Sequence, residues 1–267
     1  MRLHDRMLAC LLAMMFILTA QAQTPAEQVV EEDLETLAID PEALEAFKGM
    51  SDYLGAAKSF AYEIESSYDV VQRSGITVEF GGSGKIVVSR PDRLWMESSR
   101  RDGVNGTMIF DGENIWAFIP DENVYARAEQ PGNLDAAIDF AISDLNLKAP
   151  TSDLLSSNLY DEVVPKLTGA LYLGEAVVAG VSCEHLLMSN DYADFQLWIA
   201  SGGQPILKRI VITYREEPGQ PQFRAQFKNW QIPARDTKGK FEFRPPANAK
   251  RIRFYVPAVD TDLEDAS

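Results

Sequence analysis

Residues Thr107–Ala128 read TMIFDGENIWAFIPDENVYARA. Asp111-Gly112 and Pro120-Asp121 are turn signals that divide the stretch into three short strands. Tight turns between consecutive strands mean antiparallel neighbours. In the middle strand Ile115, Ala117 and Ile119 point to one face and Trp116 and Phe118 to the other, because strand side chains alternate. This strand is therefore apolar on both faces, and each face needs a cover. The fold turns on what supplies the second one: a helix, another sheet, or a ligand.

Upstream, Asp40-Pro41 combines an N-cap with proline at the first helical position. Leu44, Phe47, Met50 and Leu54 form a stripe of helical period, which predicts a helix over about Pro41–Ala57. The period then becomes two. In Ser59–Val71, Phe60, Tyr62, Ile64, Tyr68 and Val70 share one face, and Ala61, Glu63, Glu65, Ser67 and Asp69 share the other. ITVEF, GGSG, KIVVSR and RLWMESS follow, read as strand, hairpin turn, strand and strand. Downstream, Pro131-Gly132 interrupts the strand pattern. Asn133–Leu147 is helical in pattern, with Leu134, Ala137, Ile138, Ala141, Ile142 and Leu145 on one side and Phe140 off that stripe. A further helix is predicted over Ser152–Val164. Strand patterns resume at ALYLGEAVV, VSCEHLLM, DFQLWIA, ILKRIVITY and PQFRAQFKNWQI, with Phe223, Ala225 and Phe227 facing inward. KFEFRPP is read as the strand that closes the sheet.

The count is roughly 11 to 12 strands, one helix before them and helices in the middle. No Pro- or Gly-rich linker splits the chain, and no repeat of fixed period is present. The expected fold class is α+β, mostly β. It is a single large curved antiparallel sheet with the N-terminal helix and the central helices on its concave side. A sheet of this size curls or closes rather than staying flat.

The chain ends carry different signals. Arg2 and Arg6 precede an apolar run, Met7–Ala20, and Ala20-Gln21-Ala22 is a small-x-small cleavage site. Residues 1–22 therefore read as a signal peptide for export. Residues 23–39 read as an acidic flexible leader, 40–256 as the folded domain and 257–267 as an acidic tail. No later apolar run is long enough for a transmembrane helix.

The 267 residues carry a formal net charge of −15, and loss of the signal peptide's two Arg and one Asp makes the remainder more negative still. Such a surface repels nucleic-acid phosphates and does not favour anionic lipid headgroups. Cys183 is the single cysteine after the predicted cleavage point, so the exported domain has no internal disulfide.

Catalytic motifs are scarce. Cys183 and His185 stand two apart on a strand and share a face, the placement a nucleophile and its base would need, and equally that of a buried thiol and a hydrogen-bonded imidazole. GGSGK, Gly81–Lys85, fits neither a nucleophile elbow nor a phosphate loop, because the second flanking glycine and the following Ser or Thr are missing. No metal site and no cofactor is expected, and the chain is not read as an enzyme. The aromatic residues are more informative. Trp95, Trp116 and Phe118 on strands, with Phe140 on a helix, are the candidate ligand-binding residues for an apolar pocket.

Three strings extend this reading. KIVVSRPDRLWME (Lys85–Glu97), MIFDGENIWAFIPDENVYARA (Met108–Ala128) and KFEFRPPANAKRI (Lys240–Ile252) resemble the periplasmic lipoprotein-carrier superfamily, LolA/LolB-like. GVSCEHLLM, FQLWIASGGQPILKRIVITY and FKNWQI resemble a predicted periplasmic family of unknown function on the same fold. The resemblance spans about Phe60–Phe254. It implies an unclosed β-barrel, a half-barrel whose central lid or plug helices cover an apolar cavity that holds acyl chains, with Arg90, just before Pro91, contacting the lid. The first string departs from the carriers in carrying Arg93-Leu94-Trp95 after Pro91-Asp92.

The leading expectation is a non-catalytic periplasmic protein that binds a lipid, an acyl chain or a lipoprotein, as carrier or chaperone. The alternatives are an envelope protein-binding or sensor domain with a filled core, and a hydrolase using Cys183 and His185.

Overall fold

The computed structural model describes residues 38–254 except Lys148. The predicted signal peptide, almost all of the acidic leader and the acidic tail lie outside the described residues. Among those described, twelve strands form one sheet in the order β12-β6-β5-β4-β3-β2-β1-β11-β10-β9-β8-β7. The strands are β1 (Ser59–Val71), β2 (Thr77–Ser89), β3 (Arg93–Arg100), β4 (Asn105–Phe110), β5 (Asn114–Ile119), β6 (Val124–Glu129), β7 (Gly169–Val178), β8 (Val181–Ser189), β9 (Ala193–Ala200), β10 (Leu207–Tyr214), β11 (Gln222–Gln231) and β12 (Lys250–Arg251). All neighbours are antiparallel except β12, which pairs parallel with β6. The sheet does not close, so β7 and β12 are its edges.

Two meanders, β1–β6 and β7–β11, meet where β1 pairs with β11. Ile64 lies opposite Phe227 and Tyr68 opposite Phe223. On the other face the Asp69 carboxylate accepts two hydrogen bonds from the Arg224 guanidinium, at 2.9 and 3.1 Å. Those bonds hold the Asp69 carboxyl below the usual carboxylate range. A positive-φ bulge at Asn229 turns Trp230 to the side of Phe227. There Tyr62, Phe227 and Trp230 pack ring against ring at 4.6–6.2 Å.

Helix α1 (Pro41–Gly55) forms as its stripe predicts, burying Ala43, Phe47, Met50 and Leu54. The Asp40 side chain accepts from the Glu42 backbone amide at 2.9 Å, which caps the helix. Its other oxygen accepts from the Tyr172 amide at 3.2 Å, so the same carboxylate ties the helix start to strand β7. Helix α2 (Leu134–Ser143) is shorter than its pattern, and Leu145 and Leu147 pack from the loop that follows it.

Three sequence expectations are corrected. The helix expected over Ser152–Val164 is broken into a 3₁₀ turn, Ser152–Leu155, a short helix α3, Leu159–Val163, and a second 3₁₀ turn, Val164–Lys166. Ser156 is extended, and its hydroxyl accepts from the Asn158 amide, a local side-chain bond that competes with helical pairing. KFEFRPP is not a strand. Pro245 and Pro246 have no amide to offer a ladder, and the chain joins the sheet only at Lys250–Arg251. GGSG is not a turn either, because Gly81–Gly84 lies inside the thirteen-residue strand β2. The turn is at Gln72–Ile76, where Gly75 has φ +81°. A Cβ on Gly81 would sit 2.4 Å from the Ser66 carbonyl oxygen and one on Gly82 2.5 Å from that of Ser99. These glycines let three coiled strands come together.

Phe227 is 1 % exposed at the join of the two meanders. Phe227→Ala should lower unfolding stability by about 3–5 kcal/mol, the usual range for emptying a buried phenylalanine site, as read by chemical denaturation. Asp69→Asn should destabilise the protein most near neutral pH. Because the native Asp69 pKa is depressed, its contribution is present above the ordinary carboxylate pKa and is lost as pH falls through the native one. The stability gap between variant and parent should therefore shrink in acid. A gap independent of pH would mean that the ion pair does not contribute.

Candidate functional site

Register separates the two faces of the sheet. Phe60, Val88, Leu94, Phe110, Ile115 and Ala128 form one cross-strand row, and Tyr62, Ile86, Met96, Met108, Ala117 and Ala126 form the next. Nearly all of these residues belong to the core shared with α1, α2 and α3. This inner face is the one that carries the helices, and Phe140 of α2 packs against the same core.

The helical cover is fastened at one corner of the sheet. The Arg90 guanidinium donates from Nη2 to the Ser156 carbonyl oxygen at 2.9 Å and lies 5.6 Å from the Phe60 ring centre. Its Nε is buried without a hydrogen-bond partner, and burial lowers the Arg90 pKa, opposed by nearby Asp135. Asp135 on α2 accepts from the Ser157 amide at 3.1 Å and from its hydroxyl at 2.7 Å. The Leu134 amide donates to the Pro91 carbonyl at 2.8 Å. Arg90, Pro91 and Asp135 thus join the β2–β3 corner, α2 and the 3₁₀ turn in one polar knot.

The cover does not reach the far end of the inner face. Tyr68 and Val70 on β1 lie opposite Phe80 and Val78 on β2, in the same alternation as Phe60, Tyr62 and Ile64. They are 39, 37, 38 and 38 % exposed, against 0 % for Phe60. The Tyr68 and Phe80 rings stack at 5.9 Å. Between this apolar end and the covered core lie two rows of small groups, Ser66 with Gly82, and Gly84 with Ser98 and Gly106. This uncovered stretch was not singled out from sequence. The alternation of ITVEF pointed to it, but reading GGSG as a turn cut Val78 and Phe80 away from the strand that aligns them with Tyr68.

Three of the four aromatic residues expected at a concave pocket stand elsewhere. Val87, Trp95, Ile109, Trp116 and Arg127 form an outer-face row, and Phe118 and Tyr125 lie in the row beside it. Alternation turns Trp95, Trp116 and Phe118 away from the helices. Their cover is the irregular segment that had been read as a strand. The Phe243 ring lies 5.3 Å from Trp116, 5.6 Å from Phe118 and 6.0 Å from Tyr125, and the Lys240 ammonium lies 3.8 Å from the Trp95 ring centre. Trp116 is fixed further, because its indole N–H donates to Asp111 at 2.8 Å and Arg127 lies over its ring at 5.3 Å. The second face of the opening hairpin is covered by the chain's own C-terminal strap.

Cys183 and His185 also face outward. Cys183 is fully buried, and burial raises its thiol pKa. His185 stacks on Trp198 at 4.3 Å, pairs with Gln196 at 3.3 Å, and has its pKa lowered by burial. An activated thiolate needs a depressed thiol pKa beside a base that takes up its proton. The shifts here run the other way on both groups. Among the described residues no group of His, Cys, Asp and Glu has the arrangement of a metal site. No helix among them is long and apolar enough to cross a membrane.

Comparison with known structures finds distant similarities. The lipoprotein LppX of Mycobacterium tuberculosis is 19 % identical over 73 % of this chain and 98 % of its own, with a TM-score of 0.47. LprF of Mycobacterium bovis is 12 % identical over 74 % of this chain and 97 % of its own, also at 0.47. The MucA/MucB complex of Pseudomonas aeruginosa contains a chain 13 % identical over 76 % of this one and 61 % of its own, at 0.42. No curated protein matches the chain. The family described as predicted periplasmic protein (DUF2092) matches residues 43–255. That description agrees with the periplasmic location expected from the leader, and the match covers most of the sequence: the chain belongs to the DUF2092 family of predicted periplasmic proteins.

Proposed function

We propose that this protein binds a hydrophobic ligand of acyl type on the inner face of its sheet, as a carrier or chaperone of the periplasm. The observation that supports this reading is the inner face itself, which turns apolar again beyond the end of its helical cover. Tyr68, Val70, Val78 and Phe80 are left facing solvent there, in line with the covered core. Burial of an acyl chain is worth about 0.8 kcal/mol per methylene, so a chain of ten methylenes can be held without any charged partner. In this reading Arg90 is the latch of the lid and Phe140 is the part of α2 that a deeper-lying ligand displaces. Trp95, Trp116 and Phe118 serve the strap rather than the ligand.

A second reading, a protein-binding domain with a filled core, draws on the tight packing beneath the helices, where Phe60, Leu186, Ile199 and Leu207 are 0 % exposed. Native mass spectrometry with lipid extraction, on protein isolated from its own periplasm, separates the two. A stoichiometric acyl-bearing adduct supports the carrier. A bare mass together with no saturable binding of a fluorescent fatty-acyl probe sinks it and favours the protein-binding domain. For the carrier, Phe80→Asp combined with Tyr68→Asp should weaken probe binding at least tenfold with the fold intact by circular dichroism. Arg90→Gln should speed probe entry and release by loosening the cover.

A further inference from the structure

The uncovered end of the inner face also carries arginines, each paired with an exposed carboxylate. Two adjacent hairpins finish there, β1–β2 with Arg73 in its turn and β3–β4 with Arg100 and Arg101 at the end of β3, in a chain whose net charge is −15. Between the hairpins lies an open recess of about 230 Å³, lined by Tyr68, Phe80, Gly81, Glu79, Arg100, Arg101 and Asp102. The Tyr68 and Phe80 rings form its apolar wall. Arg100 pairs in register with Gly82, two residues beyond Ser98, which pairs with Gly84. Alternation therefore puts the Arg100 side chain on the inner face, at the mouth of the Ser66, Gly82, Gly84, Ser98 and Gly106 rows. Arg101 reaches the recess from the other side, with its guanidinium 3.2 Å from where a Gly81 Cβ would be.

Both guanidinium groups are held by exposed carboxylates, Arg100 by Asp102 and Arg101 by Glu79 at 3.0 Å. Exposed ion pairs of this kind contribute little, and a guanidinium binds a carboxylate or a phosphate oxygen with the same planar set of donors. An incoming anion can thus replace Asp102 or Glu79 at small cost. Beyond the recess the small groups of the two rows form a glycine–serine track that leads to Ile64 and the covered core.

We infer that this recess is the head-group site for an anionic amphiphile, a free fatty acid or a phospholipid, whose acyl chain lies along the glycine–serine track. The inference rests on the hydrophobic-ligand reading above and narrows it to a ligand class. The head exchanges with Asp102 for Arg100 while the first methylenes lie against Tyr68 and Phe80. The track takes the rest of the chain, and small residues at Ser98 and Gly106 are what keep it open. A Cβ on Gly106 would meet only the Ser98 hydroxyl, at 3.3 Å, and no backbone atom within that distance, so the position accepts a side chain and can be used to block the track.

The test compares cis-parinaric acid with its methyl ester by fluorescence titration on the full-length exported protein. The acid should bind at least tenfold more tightly than the ester. Arg100→Gln combined with Arg101→Gln should bring acid affinity down to that of the ester and leave the ester unchanged. Asp102→Asn should tighten the acid alone, and Gly106→Val should weaken both. Displacement of bound cis-parinaric acid by dodecanoate or by lysophosphatidylglycerol supports the site, and whichever displaces at lower concentration identifies the source of the anion. Equal affinity for acid and ester, or an acid preference that survives the double arginine variant, overturns the head-group site while leaving the hydrophobic-ligand reading standing. Failure of both probes to bind overturns the two together.

Discussion

Everything in this molecule depends on the pairing of β1 with β11. Strands β2–β6 reach the rest of the sheet only through β1, and β7–β10 only through β11. The join is non-local, linking residues more than 150 positions apart, and it is reinforced on both faces. Inside, Ile64 meets Phe227 and Tyr62 meets the rings of Phe227 and Trp230. Outside, Asp69 takes Arg224, Glu65 takes Lys228 at 2.6 Å and Glu63 takes Asn229 at 2.7 Å. Contacts so distant in sequence form late, after the chain entropy of closing a long loop has been overcome. The two meanders are then held as one curved surface, and the helices have a face to cover.

The two faces are covered by different means. Helices and the 3₁₀ turn lie over the inner face and are tied at one corner by Arg90, Pro91 and Asp135. The outer face is polar over much of β1–β3, where Glu63, Glu65, Lys85, Glu97 and Lys228 border a shallow recess. It turns apolar from β3 to β6, where the strap lays Phe243 on Trp116, Phe118 and Tyr125. With the strap in place, Trp116 and Phe118 are covered, while Tyr68 and Phe80 stay exposed at the end of the inner face proposed for the ligand.

Periodicity made the architecture legible. The stripe of Phe47, Met50 and Leu54, the alternation of Phe60, Tyr62 and Ile64, and that of Phe223, Ala225 and Phe227 each appear in the structure as read. The large curved antiparallel sheet of about twelve strands followed from them, while its staying open was implied only by the resemblance. Arg90 was placed by resemblance, and it does contact the segment that covers the sheet. What escaped was long-range. Alternation says that Trp116 and Ile115 face opposite ways but not which of them meets the helices. Glycine codes equally for a turn and for a close approach of strands, and the difference at Gly81 and Gly82 lies in the Ser66 and Ser99 carbonyls, which are remote in sequence. The exposed end at Tyr68 and Phe80 was hidden because the helical cover stops short of it, and no local pattern marks where a cover ends.

An unclosed sheet has two free margins, and each invites pairing with another chain. Here the margin at β6 is occupied by the protein's own Lys250–Arg251, with the Lys250 amide bonded to the Asn123 carbonyl and the Ile252 amide to that of Tyr125. At β7, Ala38 and Asp40 bond to Ala170, the register slips between Tyr172 and Glu175, and Gly174 has φ +93°. The slip breaks the straight ladder a foreign strand would need, and Glu175 adds charge beside it. The sheet can stay open without stacking edge to edge into filaments.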